Sequence, residues 1–305
     1  MTDGILCINK PKGFTSFDVV AKLRGILKTR RLGHAGTLDP MAEGVLPVFV
    51  GRATLACDIL PDSNKSYLAT FKLGFSTDTQ DTTGKTLKES EVRVSKAQVE
   101  EALNAFKGEI MQTPPMYSAI KVDGKKLYEL AREGKTVEIP ARKITIFNIN
   151  LYDFDEKSQS GVFSVSCSKG TYIRTICNDL GEKLGTFGVM SSLCRTCAAG
   201  LSLNDCYTLE QVQEIADKGE IDNAIISVEK VFESYPKITL SEKQTRLFLN
   251  GVKLVPAQLG VKKDEDTHTV YSFNNRFLGL GYFDSENFRV KKLFVTKEMY
   301  EEGEK

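Results

Sequence analysis

The sequence predicts a mixed α+β fold in which strands and helices do not alternate strictly. Three observations carry this. Short apolar runs and one clear period-2 alternation are spread through residues 4–200. Helical stretches are few, and several open on a Ser or Thr cap with Gln three residues later. Near residue 235 the character shifts to short strand patterns split by turns.

The elements follow in order. Residues 4–9, GILCIN, read as a short buried strand, and KPKGFTS then turns the chain. Thr15 or Ser16 caps a helix in which Val19, Val20, Leu23, Ile26 and Leu27 share a face. That helix ends in KTRR, cations where the macrodipole favours them. VLPVFVG (45–51) reads as a second buried strand. In SYLATFKLG (66–74), Tyr67, Ala69, Phe71 and Leu73 point one way. FSTDTQDTTGK (75–85) is polar and loop-like, and Ser95 with Gln98 opens a second helix that Gly108 follows. TPPMYS (113–118) breaks regular structure, and GKKLYELAREG (124–134) is a short amphipathic helix between glycines. Residues 141–155 and 161–168 are strand candidates joined by a polar hairpin. GTYIRTICNDLGEKLG (170–185) reads as a helix with Ile173, Ile176, Cys177, Leu180 and Leu184 inward. Thr208 and Gln211 open a further helix that Gly219 closes. Beyond residue 235 a helix capped by Ser241 precedes three short strands, TVYSF, RFLGLGYFD and NFRVKKLFV, a β-rich unit of about 70 residues.

Composition narrows the function classes. The chain of 305 residues is 41% hydrophobic, ordinary for a globular protein of about two domains. No apolar run approaches the ~20 residues that span a bilayer, and the N-terminus lacks a basic segment followed by a long apolar one. A cytoplasmic protein is expected. Seven scattered cysteines argue against a disulfide framework. CRTC, with Cys194 and Cys197, has metal or redox spacing but no second such pair, so buried thiols are the expectation. The net charge is +1, yet residues 1–34 concentrate Lys10, Lys12, Lys22, Arg24, Lys28, Arg30 and Arg31, and Lys121, Lys125 and Lys126 form a second basic cluster. There is no G-x-G-x-x-G, P-loop, H-E-x-x-H or Ser-His-Asp pattern, so dinucleotide, nucleotide and zinc chemistry lose support.

One stretch, RLGHAGTLDP (31–40), stands out in a chain with only two histidines. Glycine frees the backbone and Asp-Pro favours a turn, so on its own it reads as a loop with a solvated His34 and a turn-forming Asp39. The rest of the chain changes that reading. INKPKGFTSFDVV (8–20), RRLGHAGTLDPMAEGVLPVFVG (30–51), KSYLATFKLGFSTDTQDTTG (65–84), PPMYSAIKVDGKKLYELAREG (114–134) and SKGTYIRTICNDLGEKLG (168–185) resemble, in order and spacing, the TruB family of tRNA pseudouridine synthases. The implied fold is a mixed, largely antiparallel central sheet flanked by helices, the pseudouridine synthase fold. It would occupy residues 1–234, and a small β-rich PUA-like RNA-binding domain residues 235–305.

The resemblance implies isomerisation of the uridine at position 55 in the tRNA T-loop, by a monomer that needs no cofactor, metal or ATP. Asp39 matches the catalytic aspartate, with attack at C1′, attack at C6 and a glycal route all open. Arg174 matches the arginine that pairs with it and keeps it ionised. Tyr67 matches the active-site tyrosine, as a ring stacked on uracil or as a base at C2′, with a core aromatic as the plainer reading. Tyr172 and Leu193 match pocket residues. His34 matches the histidine that fills the space left by the extruded base, Gly33 and Gly36 allow close approach of RNA, and Arg30 and Arg31 meet phosphates. Lys10, in a K-P-x-G motif with Pro11, supports the floor of the site and is counted with the RNA-binding residues. The segment 117–138, with Lys121, Lys125 and Lys126, resembles an insertion that closes over the T-loop and orders on RNA. After Leu193 this chain has Cys194 where many members carry a basic residue, with Arg195 next, which weakens the expected phosphate contact. Two other classes compete. A non-catalytic tRNA-binding or RNA-folding clamp would need none of Asp39, Tyr67 and Arg174 together. An aspartate-based hydrolase would need a second carboxylate, and the nearby Glu43 reads better as part of a structural turn.

Overall fold

The computed structural model describes residues 3–61, 64–118, 120–122, 124–135, 137–261 and 264–302. Its centre is a nine-stranded sheet. The main path runs Gly4–Lys10, Glu43–Val50, Gly188–Ala198, Lys65–Leu73, Ser160–Cys167, Arg142–Asp155 and Gly108–Gln112, with Leu32–His34 and Leu201–Ser202 as side additions. Every pairing is antiparallel except one. Glu43–Val50 and Gly188–Ala198 run parallel, with Cys194 opposite Glu43 and Arg195 opposite Gly44. The approach there is close: a Cβ on Gly44 would lie 2.2 Å from the Arg195 carbonyl oxygen, and its φ of +100° also favours glycine.

The alternation in Lys65–Leu73 sorts as expected, with Tyr67, Ala69, Phe71 and Leu73 buried and Leu68 and Lys72 exposed. That buried face packs on the helices Lys96–Asn104 and Ile173–Lys183 through Val99, Leu103, Ile176 and Leu180. The first half of the sheet buries Leu6, Ile8, Leu46 and Val48 under Ser16–Ile26 and Leu209–Asp217. Each such apolar side chain contributes roughly 1.5–3 kcal/mol on leaving water. Thr15 is the cap of Ser16–Ile26, in a reciprocal box with Asp18; Ser95 and Thr208 form the boxes expected of them, and Ser241, expected as a cap, forms a box with Gln244.

A second sheet is made by Lys237–Thr239, Thr267–Tyr271, Phe277–Phe283 and Phe288–Leu293. Three of these strands match the sequence reading; the first, of three residues, is too short to show a period. This β-rich unit packs on the first sheet through Phe232, Leu280 and Phe294, which share a core with Ile5 and Phe49. Arg52 Nε donates to the Phe294 carbonyl at 3.0 Å across the junction.

Two local readings differ from the structure. The helix expected over 124–134 is shorter, Leu127–Arg132, because Lys125 and Lys126 pair back on Lys121 and Val122 as a hairpin. The helix expected from residue 170 starts at Ile173, because Gly170 takes φ +81° and breaks the entry. The CRTC cysteines form no site. Among the described residues no cluster of three or more His, Cys, Asp or Glu could hold a metal and no disulfide forms, and Cys194 and Cys197, expected as buried thiols, are half-buried. A close thiol contact occurs instead between Cys7 and Cys206, Sγ to Sγ 3.2 Å. Among the described residues no helix is long and apolar enough to cross a membrane.

Candidate active site

The loop after Leu32–His34 has little regular structure of its own and is pinned from several sides. Ser16 Oγ accepts from the Leu38 amide at 2.9 Å, and the Gly13 amide donates to the Pro40 carbonyl at 2.7 Å. Arg195 Nη2 donates to the Gly36 carbonyl at 2.9 Å. These ties present Asp39 at the wall of a cleft of 680 Å³, a size suited to a small ligand. Tyr67, Leu193, Arg174 and Tyr172 line the same cleft. Residues far apart in sequence therefore meet at one place, on the helix-covered side of the sheet.

Asp39 and Arg174 form the central ion pair, Oδ2 to Nη2 at 3.0 Å. The arginine side chain is 7% exposed and the aspartate 42%, so a buried cation holds a carboxylate that solvent and substrate can reach. Arg174 is itself fixed. Nη1 donates to the Thr79 carbonyl at 3.0 Å, Nη2 to the Tyr117 carbonyl at 2.9 Å, and Asp81 Oδ2 lies 3.7 Å from Nη1. Asp81 is buried and accepts from Thr79 Oγ1, the Thr83 amide and Thr83 Oγ1 at 2.8, 2.9 and 2.5 Å. One guanidinium thus bridges two carboxylates, one spent on structure and one open to the cleft.

Tyr67 belongs to the main core and also lines the cleft. Burial pushes its phenol up to about 12, against the lowering influence of Arg195, so the hydroxyl is a neutral group at physiological pH. Leu193 adds an apolar wall. Tyr172 stands just before Ile173–Lys183, where its backbone amide and carbonyl are both held by the Gln112 side chain at 2.8 and 3.1 Å.

His34 is half-buried and does not line the cleft; burial and the Arg195 charge lower its pKa, so its ring is neutral. Arg30 and Arg31 are exposed, Arg31 Nε reaching Thr54 Oγ1 at 3.4 Å. Lys125 is exposed and lies 3.8 Å from Glu133. Lys121 and Lys126 pair through their backbones, and their side chains lie outside what the structure describes. The segment that holds them contributes Tyr117, Ser118 and Tyr128 to the cleft.

Lys10 is a correction. As an RNA-contact residue it would need its ammonium in solvent, yet it is 0% exposed. Nζ donates to the carbonyls of Phe14, Pro11 and Pro40 at 2.6, 2.9 and 3.5 Å. It ties the first turn to the residue after Asp39, and burial lowers its pKa to about 8. The expected phosphate contact near Arg195 also gives way, because Arg195 is 0% exposed. Its Nε donates to the Val45 carbonyl at 2.7 Å, and its charge acts on Tyr67 and His34.

Asp81, Arg195 and Lys65 are site residues that sequence reasoning missed. Asp81 sits in a polar run where an aspartate reads as a turn residue. Arg195 had one usable signal, an inward position two residues after Leu193 on the same strand. Lys65 precedes the alternating segment that drew attention to Tyr67, and it lines the cleft.

Comparison with known proteins identifies the family. Residues 24–173 match the TruB family pseudouridylate synthase N-terminal domain, and residues 174–233 match the tRNA pseudouridylate synthase B C-terminal domain. That second match includes Arg174, Leu193 and the central strand Gly188–Ala198, and it ends before the small β-rich sheet. The chain is 43% identical to tRNA pseudouridine synthase B of Clostridium kluyveri and 44% identical to that of Clostridium acetobutylicum, each over 96% of this chain and 100% of the relative. Among solved structures, a Cbf5–Nop10–Gar1 complex contains a chain that superposes with a TM-score of 0.76 at 25% identity, covering 97% of this chain and 86% of that one. The pinned loop, the shared arginine and these full-length likenesses converge: this chain belongs to the TruB family of pseudouridylate synthases.

Proposed function

We propose that the chain isomerises the uridine at position 55, in the T-loop of tRNA, to pseudouridine, with Asp39 as the nucleophile. The observation that carries this is the Asp39–Arg174 pair at 3.0 Å, with its carboxylate on the cleft and its guanidinium buried. The reaction breaks the bond from N1 to C1′, turns the detached uracil and joins C5 to C1′. The C5 proton leaves and N1 gains one, so nothing is consumed and no cofactor is required. A carboxylate nucleophile suffices, and the fixed guanidinium holds Asp39 in position.

The target base must leave its stack, which costs a few kcal/mol. A neutral His34 ring, partly apolar, suits the space left behind. Tyr67 supplies a ring face to hold the free uracil, and its buried, protonated phenol favours stacking over proton abstraction. Leu193 and Tyr172 complete the walls. In this reading residues 1–234 are the catalytic unit and 235–305 an RNA-binding unit, with Arg30, Arg31 and the lysines of 117–138 meeting the T-arm. The protein works as a cytoplasmic monomer. Closure of 117–138 over RNA would act directly on the centre, since the Tyr117 carbonyl already holds Arg174.

The test is tritium release from a tRNA transcript carrying [5-³H]uridine, with the modified position mapped. Release from the one T-loop site by the wild type, and none by Asp39→Ala with tRNA still bound, is the expected outcome. A wild type that binds tRNA and releases nothing would overturn the catalytic reading and leave an RNA clamp.

A further inference from the structure

The cleft holds a cation that the reaction just proposed does not use. Lys65 opens the strand Lys65–Leu73 and lines the cleft two residues before Tyr67. It is half-buried, and among the described residues no hydrogen bond or ion pair reaches its ammonium. Both carboxylates of the cleft, Asp39 and Asp81, are engaged by Arg174. The Lys65 ammonium instead lies against Gly36, beside another cation: a methyl group added to Gly36 would meet Lys65 Nζ at 3.4 Å and Arg195 Nη1 at 3.2 Å. Arg195 Nη1 is itself buried without a hydrogen-bond partner. Lys169 adds a third positive charge near Lys65; burial, then Arg195 and Lys169, lower the Lys65 pKa against Cys167.

A partly buried ammonium beside like charges, without a counter-ion, is costly unless an anion arrives. The neighbouring backbone is Gly36, in the loop that carries Asp39. Uracil and ribose bring no fixed negative charge to that place, whereas the chain entering or leaving an extruded nucleotide brings one phosphodiester on each side. We propose that Lys65 is a binding residue for a backbone phosphodiester flanking the flipped nucleotide. The proposal rests on the function above. It makes Lys65 the residue that registers the nucleotide along the cleft, while Asp39 meets its sugar or base.

The test combines the protein variants Lys65→Met and Lys65→Arg with T-arm RNAs carrying an uncharged methylphosphonate at the linkage 5′ or 3′ of the target uridine. Binding is read by filter retention and chemistry by single-turnover tritium release. Lys65→Met should weaken binding about tenfold, most of the effect falling on KM and Kd, and should lower the salt slope by about one phosphate contact. Lys65→Arg should restore most of the affinity. One methylphosphonate should cost the wild type a similar factor and cost Lys65→Met nothing further. Additive penalties at both linkages, or a loss confined to the saturating rate, would overturn the proposal. The binding cycle is read without turnover, so a wild type that binds RNA but releases no tritium would sink the function and leave the Lys65 result to stand or fall alone.

Discussion

Two buried arginines serve this site in different ways, Arg174 in the wall of the cleft and Arg195 behind the loop that carries Asp39. Arg174 faces two carboxylates and two carbonyls, so its charge is neutralised in place. Arg195 faces the Val45 and Gly36 carbonyls and the Tyr67 phenol, so its charge is solvated by dipoles and remains positive to its surroundings. The first arrangement holds an anion at a set position. The second stiffens the loop that carries the anion and sends a field toward Tyr67, His34 and Lys65. Position and field are divided between two residues 21 apart in the chain, on different elements.

Substitution at Arg174 should have the largest effect. Arg174→Lys keeps the charge and loses the planar fork that spans Asp39, Asp81 and two carbonyls. Single-turnover tritium release should fall at least about 100-fold, with little change in RNA affinity. Near-normal turnover would mean that charge alone suffices and would erase the contrast with Arg195.

The next effect belongs to Arg195. Arg195→Met leaves the Val45 and Gly36 carbonyls buried without a donor, and denaturant unfolding should show a loss of about 2–4 kcal/mol. Turnover should fall as well, because the Asp39 loop loses a tie. A variant of unchanged stability with reduced turnover would assign Arg195 to chemistry alone.

The smallest effect is a pH dependence at Lys10, the third buried cation. Its pKa falls from the ordinary lysine range to about 8 in the folded chain. Between about pH 8 and pH 10.5 the unfolded chain binds one more proton at this residue than the folded one, so stability rises with pH across that window. The same contribution is lost as pH falls through 8. Denaturant midpoints of the wild type should therefore climb relative to Lys10→Met over that range, and parallel curves would place the ammonium in solvent after all.

Much of the fold was legible because its signals are local. Reciprocal capping boxes at Thr208, Ser241 and Ser95, and the alternation through Tyr67 and Phe71, are each written within a few residues. Gly44 was not legible, because its need for a bare Cα comes from a carbonyl 151 positions later. The residues brought to the cleft were identified by resemblance, and the structure places Asp39, Arg174, Tyr67, Tyr172 and Leu193 on it together. Lys10 reads, by its K-P-x-G motif, as support for the floor of the site and is counted with the RNA-binding residues, whereas its ammonium meets backbone carbonyls brought together by the turn and the Asp39 loop. Asp81 hid for the opposite reason: a carboxylate among threonines looks like a turn until an arginine from a distant helix meets it.

The parallel seam between Glu43–Val50 and Gly188–Ala198 has a kinetic consequence. Asp39 lies on one side of that seam, and Tyr67 and Arg174 lie on the other. The seam closes a loop of roughly 150 residues, a contact whose entropy cost makes it slow to form. The first half of the sheet also waits for Tyr207 and the helix Leu209–Asp217, which close still longer loops onto Gly4–Lys10. Asp39 meets Arg174 only after such long-range closures, so in a refolding experiment activity should return later than the far-UV signal of local helices and hairpins.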